Sequence, residues 1–124
     1  AIHMMGHELT ALFGIDHART LAILTGSHYT YNFNTKKEKL AQYAERVWGV
    51  TEGSLDERAK VGIEKTVAFF HSLGIDTKLS EYTNDYKGTG AEIARRLTER
   101  GMIALGEHGT LTPADAEKIV ELSY

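Results

Sequence analysis

The chain has 124 residues, 42% hydrophobic and 25% charged, with a formal net charge of −3, which suits one globular domain with a modest core. Charge that small and that interleaved leaves no electrostatic footprint for nucleic acid or anionic membrane. No apolar run approaches the ~20 residues of a bilayer span, no secretory segment is evident, and the lack of cysteine excludes disulfide scaffolds and thiolate metal sites, so a cytoplasmic protein is the default expectation.

The opening stretch, Ala1–Thr20, carries the chemistry. Three of the six histidines, His3, His7 and His17, fall in it. His3 and His7 are four residues apart, which on a helix stacks them on one face. Ile2, Met5, Leu9, Leu12 and Phe13 form an apolar stripe nearly opposite. Gly14 then reads as a helix stop and Asp16 as the N-cap of a second helix, with His17 in its first turn. The positive end of that helix favours the neutral imidazole a metal needs. A His pair at this spacing is also compatible with plain solvated surface. His7-Glu8-Leu9-Thr10-Ala11 is not a zincin motif, because Ala11 stands where the second His must be.

Distance sets a further expectation. A straight helix from His3 to Gly14 carries the backbone ~16 Å away, and three extended residues recover at most ~10 Å. For His3 and His17 to share a metal without strain, the spacing predicts an early break near Thr10–Leu12, with Phe13–Asp16 as a returning loop.

Downstream the chain reads as helix after helix. Asp16 starts one running to about Tyr29, in which His28 is a packed or surface histidine, and Tyr29–Asn34 reads as loop. Thr35-Lys36-Lys37-Glu38 has the spacing of a capping box, opening a helix with Leu40, Tyr43, Ala44, Val47 and Trp48 on one apolar face, stopped by Gly49. Ser54-Leu55-Asp56-Glu57 is a second such box; its helix buries Leu55, Ala59, Gly62, Ile63, Thr66, Val67, Phe70 and Leu73, holds His71 in its last turn, and ends at Gly74-Ile75. Asp76–Gly88 is turn-rich, with a brief extended piece at Lys78-Leu79-Ser80. Thr89-Gly90-Ala91-Glu92 is a third box, opening a helix to Arg100. His108-Gly109 falls in a connecting loop, and Thr112 with Pro113 starts a last helix carrying Ala116, Ile119, Val120 and Leu122. No strand alternation of useful length, internal repeat or low-complexity linker interrupts this. The expected fold is all-α, a compact bundle of five to six helices.

His3-x3-His7-x9-His17, followed by Ala18-Arg19-Thr20-Leu21-Ala22-Ile23, resembles the metal-binding signature of the iron-containing (group III) alcohol dehydrogenases. Leu40-Ala41-Gln42-Tyr43-Ala44-Glu45-Arg46-Val47-Trp48 and Leu79-Ser80-Glu81-Tyr82 resemble its subgroup of NADPH-dependent aldehyde reductases and butanol dehydrogenases. The likeness runs over essentially the whole chain and implies the C-terminal part of that family's helical domain. Residues 1–124 are then one helical domain truncated at its N-terminus, without the nucleotide-binding domain. The resemblance implies that His3 and His17 are two metal ligands and that His7 is a non-ligand histidine near the nicotinamide, serving proton transfer. Many members have Pro-His-Gly at the last ligand where this chain has Asp16-His17-Ala18; the ligand itself is retained. The other two implied ligands, an Asp and a His four residues apart, lie upstream of Ala1, as does the Gly-rich dinucleotide turn.

The implied cofactors are Fe(II) or Zn(II), and NADP(H) or NAD(H) bound mainly by residues outside the chain. The implied partners are an aldehyde or alcohol substrate and the missing N-terminal part, in a homo-oligomeric intact enzyme; the fragment alone is expected to be inactive. Two competing readings remain on sequence grounds. One is a helical interaction module whose histidines are incidental, which predicts that His3, His7 and His17 do not converge. The other is a stand-alone helical metal binder using two His plus waters or a neighbouring chain.

Overall fold

The computed structural model describes residues 1–106 and 109–124, so His108 of the expected connecting loop lies outside the described residues. Six α-helices follow one another: α1 (Ile2–Phe13), α2 (His17–Tyr31), α3 (Phe33–Trp48), α4 (Leu55–Ser72), α5 (Thr89–Glu99) and α6 (Pro113–Leu122), with a 3-10 turn at Leu79–Glu81. Among the described residues there is no β-strand, only an isolated antiparallel bridge between Leu105 and Leu111.

The main core gathers Met5 and Leu9 of α1, Ile23 and Leu24 of α2, Ile93 and Leu97 of α5, and Ile119 and Val120 of α6. A smaller cluster, Leu40, Ala41 and Ala59 with Tyr29, Phe33, Leu55 and Ile63 packed on it, fastens the α3–α4 hairpin. Gly62 makes that hairpin tight, since a Cβ there would lie 2.9 Å from the Ala44 Cβ. The chain's end is tied back: the Leu79 N–H donates to the Ser123 carbonyl at 2.7 Å, and the Gly90 N–H to the Tyr124 hydroxyl at 3.0 Å.

Helix starts differ from the sequence expectation in an instructive way. Tyr29–Asn34 is not a loop. α2 runs to Tyr31, and Asn32 alone joins it to α3, its N–H bonding the His28 carbonyl and its own carbonyl receiving the Thr35 and Lys36 N–H groups. Burial of Tyr29, Tyr31 and Phe33 outweighs the loop preference of the amides around them. Thr35 therefore sits inside α3, its hydroxyl donating to the Asn32 carbonyl at 2.9 Å rather than capping. Thr89 is likewise buried inside α5, where Gly88 is the N-cap and Glu92 turns to Arg95 and Arg96. Ser54 does cap α4, accepting from the Glu57 N–H at 3.2 Å, but the complete reciprocal capping box forms at Thr112 and Asp115.

Two further expectations are corrected. Lys78 is extended, but Leu79–Ser80 belongs to the 3-10 turn, with Leu79 fully buried. The apolar faces of α3 and α4 close only in part, since Val47 and Leu73 are both 59% exposed. α4 ends as expected, with Gly74 at φ 77° and the Ile75 N–H reaching the Phe70 carbonyl at 3.0 Å. Among the described residues no helix is long and apolar enough to cross a membrane.

Candidate metal half-site at the α1–α2 corner

α1 turns Met5, Gly6, Glu8 and Leu9 inward and leaves His3 and His7 exposed on another face, as the spacing predicts. It does not break early. Regular helix continues to Phe13, and Gly14 ends it in the left-handed conformation (φ 70°, ψ 17°), its N–H bonding the Thr10 carbonyl at 2.8 Å. Thr10, at the start of the expected break, instead donates its hydroxyl to the Ile15 carbonyl at 2.7 Å and pins the return. Asp16 then caps α2 as predicted, accepting from the Arg19 N–H at 3.0 Å and from its guanidinium at 2.5 Å. These two donors, the backbone N–H foremost, hold the Asp16 carboxyl below the ordinary carboxylate range.

The crossing of α1 and α2 closes the remaining distance. Gly6 lies against Thr20: a Cβ on Gly6 would stand 2.8 Å from the Thr20 Oγ1, which in turn donates to the His17 carbonyl at 2.7 Å. With no side chain at the crossing, the first turn of α2 reaches the middle of α1. The His17 ring centroid stands 5.3 Å from that of His3, with planes tilted by 46°, and 5.5 Å from that of His7, nearly parallel at 15°. The three histidines do come together, with His17 the common neighbour. The expectation of strain rested on backbone positions and undervalued imidazole reach.

These distances test the donor set. At a metal–nitrogen distance of ~2.0–2.1 Å and tetrahedral angles, two imidazole centroids on one ion stand about 5 Å apart. The separations of His3 and of His7 from His17 both fit that value. Among the described residues no group of three or more His, Cys, Asp or Glu is arranged to hold an ion.

Beside His3 opens a cavity of about 460 Å³, bordered by His28, Asn32 and Lys36, within the size range of small-molecule sites. His28 is buried, and the Asn32 side-chain amide donates to its carbonyl at 2.9 Å. Sequence reasoning missed Gly6, Thr20 and the buried Glu8. Only the packing of one helix against another reveals them.

Comparison with known proteins agrees with this fold. The family model described as "Fe-containing alcohol dehydrogenase family, C-terminal" matches residues 1–123. The NADPH-dependent aldehyde reductase YqhD of Escherichia coli is 47% identical over 121 residues, covering 98% of this chain and 31% of that protein. The NADH-dependent butanol dehydrogenase A of Clostridium acetobutylicum is 33% identical over 123 residues, covering 97% and 30%. The substrate- and cofactor-free structure of the E. coli reductase superposes with a TM-score of 0.94 at 45% identity, over the whole chain and 32% of that structure. The chain thus spans about a third of the length of the relatives it matches.

Proposed function

Because the chain belongs to the Fe-containing alcohol dehydrogenase family, we propose that it is the C-terminal, metal-binding helical part of an oxidoreductase that interconverts aldehydes and primary alcohols with NAD(P)H. The convergence of His17 on both His3 and His7 carries this reading; incidental histidines have no reason to meet. His3 and His17 supply two imidazole ligands to an Fe(II) or Zn(II) ion. His7 stands off the metal.

When bound, the ion supplies Lewis acidity at the carbonyl oxygen and the reduced nicotinamide supplies the hydride. The protein's own share is orientation and proton movement. His3 and His17 would hold the ion, His3 from the edge of the cavity. In the reducing direction His7 gives a proton to the oxygen of the nascent alcohol and is reprotonated from solvent; in the oxidising direction it accepts that proton. The upstream part of such an enzyme brings the remaining ligands and the dinucleotide site. The chain itself contains no Gly-rich phosphate turn between strand and helix, so on its own it is inactive in this reading.

The test is a pair of substitutions in the intact enzyme. His17→Ala should remove bound metal and turnover together, read by metal analysis and NAD(P)H absorbance. His7→Ala should retain the metal and lower turnover by ~10²–10⁴, as for a lost general acid–base group. Loss of metal in His7→Ala would make it a ligand and overturn the assignment.

A further inference from the structure

Glu8 occupies a core position of α1, between His7 and Leu9, with its side chain 2% exposed. Two arginines from the far end of α5 meet it. Arg96 Nη1 donates to Glu8 Oε2 at 3.3 Å, and Arg100 Nη1 donates to Glu8 Oε1. Each carboxylate oxygen has its own guanidinium, so the carboxylate is held at two points. Arg96 is itself anchored, its Nε donating to Glu92 Oε1 at 3.1 Å.

Stability alone does not account for a carboxylate here. Replacing a buried ion pair by apolar groups of similar volume is often neutral or stabilising, and Met5 and Leu9 on the same face show that apolar side chains pack there. A bridged carboxylate does what a leucine cannot. It fixes the roll and axial position of α1, because each hydrogen bond has a preferred length and direction.

That roll decides where the histidines stand. At ~100° per residue, His7 lies about 100° and His3 about 140° around the helix from Glu8. A side chain about 6 Å from the axis moves about 1 Å for a roll of about 10°, whereas metal–ligand distances hold to about 0.2 Å. The Gly6–Thr20 contact sets how closely α1 and α2 approach; the clamp to α5 sets which face α1 presents.

We propose that Glu8, held by Arg96 and Arg100, is a positioning residue for the histidine cluster: it fixes the orientation of α1 that brings His3 and His7 onto His17. The consequence for metal binding rests on the functional reading above; the consequence for ring geometry does not.

The experiment compares the wild-type chain with Glu8→Leu and with Arg100→Met, the second leaving Glu8 in place should Glu8→Leu fail to fold. Thermal melting by circular dichroism reads the fold. Proton NMR of the metal-free proteins reads the ring resonances and the cross-peaks between the His7 and His17 rings, and titration with Co(II) reads the half-site. Retained helicity with lost ring cross-peaks and about tenfold weaker Co(II) binding is the expected result. Unchanged ring resonances and cross-peaks in a folded variant would overturn the proposal, as would changes no larger than a mild loss of thermal stability produces in a control variant in the core, Ile119→Val. If the rings shift as expected but Co(II) affinity is the same in the wild-type chain and the variants, the positioning role stands and its consequence for metal binding falls.

Discussion

The contact between Gly6 and Thr20 should be measurable as a coupling energy. Alanine is a better helix former than glycine by about 1 kcal/mol, so Gly6→Ala would stabilise α1 if nothing opposed it. The new Cβ, however, would stand 2.8 Å from the Thr20 hydroxyl oxygen, about 0.6 Å inside an ordinary carbon–oxygen contact. The hydroxyl cannot swing aside freely, because it is bonded to the His17 carbonyl at 2.7 Å. Overpacking of this kind costs about 1–3 kcal/mol, leaving Gly6→Ala destabilised by about 1 kcal/mol. In a Thr20→Ala background the nearest atom to the new Cβ is the residue-20 Cβ at 3.4 Å, and the same change should stabilise by about 1 kcal/mol. The coupling is then about 2 kcal/mol, and the lost Thr20 hydrogen bond cancels from the cycle. Urea unfolding of the four proteins, followed by circular dichroism, measures it. A coupling below about 0.5 kcal/mol, the scatter expected of independent sites, would show that this contact does not set the approach of α1 and α2.

Acid should loosen the α5 and α6 ends of the bundle. Arg95 and then Arg96 hold the Glu92 carboxyl down to about 2, and the Thr112 N–H followed by the Tyr31 hydroxyl lowers Asp115. Both carboxyls are depressed in the folded state, so their stabilisation is complete above the ordinary carboxylate range and is lost as pH falls through the folded values toward 2. Thermal midpoints followed from neutral pH to about pH 2.5 should fall less steeply in Glu92→Gln and Asp115→Asn, and slopes equal to wild type would contradict this. In the core, Leu9→Ala should cost about 2–5 kcal/mol because Leu9 is fully buried. Leu122→Ala, at a 56% exposed position, should stay within about 0.5 kcal/mol, and denaturant midpoints that do not separate the two would refute the burial pattern.

Helix number and the face of each helix were legible because both follow from the 3.6-residue period. Leu40 and Ala44 of α3 and Ala116, Ile119 and Val120 of α6 are buried where the period puts them. Starts were less legible, and the reason is specific. A Thr or Ser three residues before a Glu has the spacing of a capping box wherever it occurs, including inside a helix. At Thr35 and Thr89 the helix had already begun, from Asn32 and Gly88, and the hydroxyl was no longer needed as a cap. At Thr112, followed by Pro113, local chemistry fixes the start without tertiary help, as the Asp16 and Ser54 caps do at α2 and α4.

The candidate site shows the same division between local and non-local information. The candidate ligands were visible as three histidines spaced four and ten residues apart, and the stop at Gly14 and restart at Asp16 were visible too. What the spacing could not supply was the crossing of the two helices. An unbroken α1 leaves about 6 Å of backbone separation to be made up, and an early helix break is only one way to make it up. The chain uses another. It keeps α1 whole, spends Thr10 on holding the turn, and removes the side chain at Gly6 so that Thr20 can sit against the helix. The two imidazoles then cover the rest, arriving 5.3 Å apart. An intact α1 has a consequence a broken one would lack. Its histidines and its buried Glu8 belong to one rigid rod, so a contact made with α5 on one side is felt at His3 on the other. The histidines of α1 are thereby tied to residues about ninety positions away in sequence (Arg96 and Arg100, to Glu8), which is why inspection of the opening stretch alone could name the candidate ligands but not what aims them.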